Sequence, residues 1–311
     1  MVAFRSILVP LDGSDASLQV LSYVQALQHP DLTVTLLEVV PESRGFVPYT
    51  LDVEYGSEIY PEVELAENIL SDLQRFADEL VAGGILSTRP NVHVVVGDPA
   101  EMILENVDTK NANLVALATR GRGAVKRALF GSVTERVIRH SRVPVLIVRP
   151  RNEAVPGKVA SIRRIVVPLD GSLLAEEALP TAQSLAQQLG IPIVLIQAVP
   201  LDAVAGFSAA IPQRTLHGIV QFARDYLSSI RDHLVRGGTE VTVSAQIGQP
   251  FDVINTLAES DDLIVMTSHG RTGFKRWLMG SVADKVIHAC LAPVVLVPTR
   301  HALVVAPAAG N

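Results

Sequence analysis

The chain of 311 residues carries one pattern twice, and that duplication constrains its fold more than any other feature. The run from Ile7 to Ser14, ILVPLDGS, returns from Ile165 to Ser172 as IVVPLDGS. Val96, Gly97 and Pro99 return as Ile247, Gly248 and Pro250. The longest match sets Gly121-Arg122, Lys126-Arg127, Leu129 and Gly131-Ser132-Val133 against Gly270-Arg271, Lys275-Arg276, Leu278 and Gly280-Ser281-Val282. Each copy closes on an apolar run, Pro144–Val148 and Pro293–Val297. The separation is 158 residues between Asp12 and Asp170 but 149 between Gly131 and Gly280, so the first copy holds extra residues, placed between Pro41 and Tyr60. The expected division is a domain at 1–150, a polar Pro/Gly linker at 151–162, a second domain at 163–300, and an Ala/Val/Pro-rich tail at 301–311.

Within each copy, short apolar runs alternate with stretches of helical period. In the first, Ser6–Leu11, Thr33–Val40, Val92–Val96, Leu114–Thr119 and Pro144–Val148 read as strands. Ser14–Leu27 reads as a helix opened by a Ser/Asp cap, Glu62–Val81 as one closed by Gly83-Gly84, Pro99–Val107 as one with proline in its first turn, and Val133–His140 as the last. The second copy follows the same order. Strands apolar on both sides, joined by helical crossovers, form a parallel sheet covered on both faces. The expectation is therefore two tandem α/β domains, each an open five-stranded parallel sheet.

A composition of 48% hydrophobic and 19% charged residues supplies apolar material for such cores and argues against disorder. The net charge of −6 makes nucleic acid and anionic membrane poor partners, since both need Lys and Arg to neutralise phosphate. No stretch approaches the ~18 apolar residues of a membrane helix, and the N-terminal apolar run is too short for a signal peptide. A cytoplasmic location is the expectation. The single cysteine, Cys290, lies in an apolar helical stretch and reads as a buried structural thiol.

Ligands of open α/β sheets bind beyond the C-terminal ends of the strands, and three features of each copy fall there. Asp12 and Asp170 end the first strand and precede Gly-Ser; such a carboxylate can take a ribose hydroxyl or serve a helix cap, and the residues alone leave both readings open. Gly121 and Gly270 follow the fourth strand, where glycine permits a sharp turn and close approach. Nine residues further on, Gly131-Ser132 and Gly280-Ser281 open a helix, offering unpaired N–H groups, a hydroxyl and the positive helix end to an anion such as phosphate. The intervening Arg122, Lys126, Arg127, Arg271, Lys275 and Arg276 read first as a solvated face, with phosphate neutralisation as the other reading. Other signatures are missing: no P-loop, no Rossmann fingerprint after Gly121, no second Asp two residues after Asp12 as a phosphatase with an aspartate nucleophile has, and no zinc-spaced His/Cys cluster. His269 stands where the first copy has Arg120, which suits a loop residue better than a catalytic base.

On these residues the chain resembles the universal stress protein family in its tandem form, over nearly its whole length. ATP-binding members carry Gly-x2-Gly-x9-Gly-Ser/Thr. Gly121, Gly131 and Ser132 fit the last three positions, as do Gly270, Gly280 and Ser281, whereas Ala118 and Thr267 replace the first glycine. The resemblance implies an adenine nucleotide alpha hydrolase-like fold with ATP as ligand, any Mg arriving with the phosphates. It implies ribose at Asp12 and Asp170 and adenine against Val39 and Ala198. Phosphate contacts would come from Gly121, Gly131, Ser132, Val133 and Thr134, and from Gly270, Gly280, Ser281 and Val282, with Ala283 in place of Thr134. It implies pairing through the last strand, here Val145–Val148 with Val294–Val297 inside one chain, and leaves room for a homodimer. The function implied is a nucleotide-dependent sensor or regulator of the stress response acting on a protein partner that the residues do not name. Two alternatives stay open: a slow ATPase or nucleotidyl or phosphoryl transferase, and an interaction module without nucleotide.

Overall fold

The computed structural model describes residues 4–42, 61–119, 131–150, 159–200, 213–270 and 279–299. Several expectations lie outside these residues: Gly121, the basic sets at 122–127 and 271–276, Arg120, most of the extra segment of the first copy, most of the linker, and the tail.

The chain divides into two compact units. One holds Phe4–His140. Its strands are β1 (Ser6–Leu11), β2 (Thr33–Val40), β3 (Asn91–Val96) and β4 (Leu114–Ala118), in the order β3-β2-β1-β4. Every pairing is parallel: Ile7 stands opposite both Val34 and Leu114, and Val39 opposite Val95. All five residues of β4 are buried. A strand alternates its side chains between two faces, so both faces of this sheet are covered. Helix α3 (Pro61–Ala82) packs on β2 and β3, and α4 (Pro99–Thr109) on β1 and β2. The expected first helix is divided into α1 (Asp15–Leu18) and α2 (Val20–Ala26), with Gln19 between them. Asp98 caps α4 by accepting from the N–H groups of Ala100 and Glu101, with Pro99 in the first turn where no donor is required. Its carboxylate also meets Arg136 of α5 (Ser132–His140) at 2.8 Å, tying the two helices together.

The second unit holds the described residues from Ala160 onward together with Ser141–Arg149. Its parallel strands are β6 (Arg164–Pro168), β7 (Ile193–Val199), β8 (Val241–Ile247), β9 (Asp262–Thr267) and β10 (Val294–Val297), in the order β10-β9-β6-β7-β8. The helices are α6 (Leu173–Glu176), α7 (Leu179–Leu189), α8 (Gln213–Arg236), α9 (Pro250–Leu257) and α10 (Ser281–Ala289). Here Pro180, in the first turn of α7, accompanies the break between α6 and α7.

The last strand of the first copy, β5 (Val145–Val148), lies in this second unit. It runs antiparallel to β10, with Val145 opposite Leu296, Leu146 opposite Val295 and Ile147 opposite Val294. All four residues of each strand are buried. The pairing that the resemblance implied is thus made within the chain, and two strand edges satisfy each other's backbone groups. Arg149 extends the join by donating to the carbonyls of His288 and Ala289 at the C-terminus of α10, where a cation meets the negative helix end.

The two copies hold the start of their first strand differently. Asn113 accepts from the N–H groups of Arg5 and Ser6 in the first copy. The matching Asp262 in the second is fully buried and takes both Nε and Nη2 of Arg164 at 2.9 Å. Cys290 is buried, as expected, and burial pushes its thiol up to about 11.

Candidate functional site

In each unit the parallel strands bring all their C-terminal ends to one edge. The order reverses beside the first strand, which has the second strand on one side and the fourth on the other. That switch point, between the loops after β1 and β4 and again between those after β6 and β9, is where an open α/β sheet forms a crevice.

The Asp-Gly-Ser turns sit on this edge. Asp12 Oδ1 accepts from the Ser14 N–H at 3.1 Å and the Ser14 hydroxyl at 2.6 Å. Ser14 Oγ then accepts from Ser17 N–H as the N-cap of α1. In the second copy Asp170 Oδ1 accepts from Ser172 N–H at 3.0 Å and from its hydroxyl at 2.6 Å, and Ser172 caps α6. The cap is therefore the serine, and the aspartate fixes the turn that presents it. The glycine between them has φ of 68° at Gly13 and 83° at Gly171, a region costly for any residue with a Cβ.

The Gly-Ser helix starts depart from expectation in two respects. The N–H of Gly131 donates to Thr119 O at 3.0 Å, and that of Gly280 to Ser268 O at 2.8 Å. These two amides close the loop onto the strand end and are not the unpaired donors that the residue order suggested. The helical ladders begin with Glu135 N–H on Gly131 O and Asp284 N–H on Gly280 O. The amides of Ser132, Val133 and Thr134, and of Ser281, Val282 and Ala283, therefore form the first turn, which has no intrahelical acceptor. Gly280 is the N-cap of α10 and provides no side-chain bond to it.

The Thr134 hydroxyl is the second departure. It is buried and donates to Ala118 O at 3.0 Å, so it pins α5 to the end of β4 instead of facing a phosphate. In the second copy the hydroxyl has moved: Ala283 takes the helix position, and buried Thr267 on the strand donates to His269 O at 2.7 Å. Thr267 is thus drawn into its own turn. The His269 ring meets Ser268 Oγ at 2.9 Å in the same turn.

Each glycine serves a distinct end. A Cβ on Gly131 would meet no atom of the described residues within 4 Å. One on Gly280 would press on Ser268 O at 3.1 Å. One on Gly270 would fall on Oδ2 of Asp170, so the missing side chain after β9 makes room for the strand-one carboxylate itself. Asp170 and Gly270 thus meet at the mouth of the second copy's crevice. Val39 and Ala198, at the ends of β2 and β7, are both half-buried.

Further polar groups at this edge escaped the sequence reading. Gln197, directly before Ala198, lies with its Nε2 3.8 Å from where a Cβ of Gly171 would stand, and its Oε1 is buried with no hydrogen-bond partner among the described residues. Glu38 holds the same place before Val39. The signal was a polar residue inside an apolar strand, in both copies. The Tyr226 hydroxyl donates to Glu176 Oε1 at 2.9 Å, and burial, then Glu176, then Asp170 hold the phenol well above its ordinary pKa. That pair needed α8 and α6 to be placed before it could be seen.

The sequence model described as the universal stress protein family matches residues 3–149 and again 161–298. Universal stress protein Rv2005c of Mycobacterium tuberculosis is 27% identical over 190 residues, 60% of this chain and 62% of that protein. Universal stress protein Rv1996 of the same organism is 32% identical over 203 residues, 62% of this chain and 61% of that protein. These matches span about three fifths of the relatives' length. The crystal structure of a universal stress protein from Archaeoglobus fulgidus superposes with a TM-score of 0.67 at 23% identity, over 94% of this chain and 98% of that one, a likeness of fold. Matched by the family's sequence model along both of its copies, the chain belongs to the universal stress protein family.

Proposed function

We propose that each copy binds an adenine nucleotide, ATP in the first instance, in the crevice between its first and fourth strands, and that occupancy makes the protein a nucleotide-dependent regulator in the stress response. The observation that carries this reading is a helix start with no intrahelical acceptors for its first amides, set beside an acidic turn on the same sheet edge, in both copies. Amides at a helix N-terminus suit phosphate, and a carboxylate suits ribose hydroxyls. The residues fit such a ligand: the Cβ position of Gly131 is open among the described residues.

In this reading Asp12 and Asp170 take the ribose, and adenine lies against Val39 and Ala198. The first-turn amides of Ser132, Val133 and Thr134, and of Ser281 and Val282, hold the phosphates. Gly131 and Gly280 let the phosphates approach. Gly121 and Gly270 shape the facing loop. A ligand that prefers one conformation of these loops shifts the population toward it, which is how occupancy reaches a protein partner.

The test is direct. The purified full chain is denatured and its supernatant assayed for ATP and ADP, and the nucleotide-free chain is titrated calorimetrically with ATP. Two sites per chain are expected, with a rise in stability of about 2.7 kcal/mol at a ligand concentration one hundred times the dissociation constant. No released nucleotide together with no heat of binding refutes the proposal.

A further inference from the structure

We propose that two molecules of this chain pair through helix α8, antiparallel and about a twofold axis, with Phe222 of each seated over Gly218 of the other. The inference does not rest on the nucleotide reading. It names a surface and its occupant, a second molecule of the same chain.

Helix α8 turns Ala223, Leu227 and Leu234 into the second unit, where all three are buried. At about 3.6 residues per turn, Arg214, Gly218 and Asp225 fall on the opposite side, and all three are exposed. Phe222 stands beside them, on the flank that carries Tyr226, and is 78% exposed. Tyr226 reaches across to α6, its hydroxyl donating to Glu176 Oε1 at 2.9 Å. Leu173, one turn before Glu176, is 82% exposed. Helices α6 and α8 both start from the edge at which β6 and β7 end. Leu173 and Phe222, each a turn nearer that start, therefore lie to the same side of the Tyr226–Glu176 bond. They are the two most exposed large apolar side chains among the described residues. One such residue alone is ordinary, whereas two at the ends of one link form a patch.

Gly218 supplies the complement. Glycine is the weakest helix former apart from proline, and the second unit gives no reason for it here. Its φ is not left-handed, and a Cβ would meet no atom of the described residues within 4 Å. It leaves a notch in the outer face of α8, one turn from Phe222. A knob and a notch on one face fill each other across a twofold axis, because residue i then meets j while j meets i. The axis passes level with Val220, midway between them. The same operation sets Arg214 against Asp225 of the other molecule, within one residue of level, about 1.5 Å along the helix. Asp225 accepts from Gln221 Nε2 at 2.8 Å on its own helix, which holds the carboxylate on this face. Opposite charges thus meet at both ends of the contact, and Leu173 of each molecule widens its apolar centre. A parallel pairing would instead set Arg214 beside Arg214, and like charges so placed oppose association.

The test is sedimentation equilibrium of the full chain over a concentration series, with thermal melting as the check on folding. The unaltered chain is expected to dimerise. Gly218→Gln fills the notch from a position with open space around it, so the fold should be kept while the dimer dissociation constant rises about tenfold or more, the scale of an overpacked contact. Phe222→Ser, at an exposed site, should weaken the dimer by a similar factor. Arg214→Asp should weaken it too, and Arg214→Asp combined with Asp225→Arg should restore it. A chain that stays monomeric up to millimolar concentration overturns the inference and leaves the patch to a different protein. A dimer that folded Gly218→Gln and Phe222→Ser leave unaltered also overturns it, since that dimer uses another face. A charge-reversed double variant no better than Arg214→Asp alone overturns the antiparallel register, and the proposal with it.

Discussion

Replacing Gly131 by alanine separates ligand contact from folding. The residue precedes α5 with no left-handed φ, and no atom of the described residues lies within 4 Å of the new methyl. Removing a glycine stabilises a compatible site by about 0.4–1 kcal/mol through the unfolded chain. Alanine is a poorer residue than glycine ahead of a helix by a comparable amount, roughly 0.5–1 kcal/mol. The net change in folding is therefore below about 1 kcal/mol, and the melting temperature should move by no more than a few degrees. Binding should respond differently. If phosphate approaches through this gap, the methyl overpacks it at a cost of about 1–3 kcal/mol, which is about a 5- to 150-fold loss of ATP affinity at one of two sites. A calorimetric titration with ATP, run beside a thermal melt, reads both quantities. Gly280→Ala serves less well, since its methyl would press on Ser268 O at 3.1 Å and disturb the fold as well. Two sites of unaltered affinity in a folded Gly131→Ala protein would refute the reasoning.

Three further outcomes follow from groups away from the crevice. Asp262→Ala removes a fully buried carboxylate from Arg164 and from the Glu259 N–H, and should cost about 3 kcal/mol in a urea melt, the lower end for a broken buried pair because Arg164 remains partly exposed; a loss below about 1 kcal/mol would contradict the pairing. The Asp98 carboxyl is held below its ordinary value by the Glu101 N–H, then by Arg136. Its contribution is therefore complete above the unfolded pKa of about 4 and is lost as pH falls through the lower folded value. The fall of melting temperature in acid should accordingly be shallower in Asp98→Asn than in the unaltered chain. Cys290, with its thiol pushed up to about 11 by burial, should resist iodoacetamide at pH 8 until the chain is unfolded, as mass spectrometry of the native and urea-treated protein would report.

Much of this protein was legible in its residues because the relevant physics is local. The duplication, the strand and helix periods, and the Ser14 and Ser172 caps each depend on neighbours a few positions away. So did the coincidence of Asp-Gly-Ser and Gly-Ser at one sheet edge, since parallel strands must end together. What only the tertiary structure decided is the choice among distant partners. The Gly131 and Gly280 amides turn back onto the strand ends; in one copy a buried hydroxyl on the helix pins it to the strand end, while in the other the hydroxyl sits on the strand and bonds within its own turn. Gly270 makes room for the Asp170 carboxylate, and β5 lies in the unit of the second copy beside β10. A donor takes whichever acceptor the crossovers bring within 3 Å, and no spacing along the chain encodes that distance. Sequence by itself therefore determined the elements and the edge they share, while packing determined which polar groups at that edge are already committed.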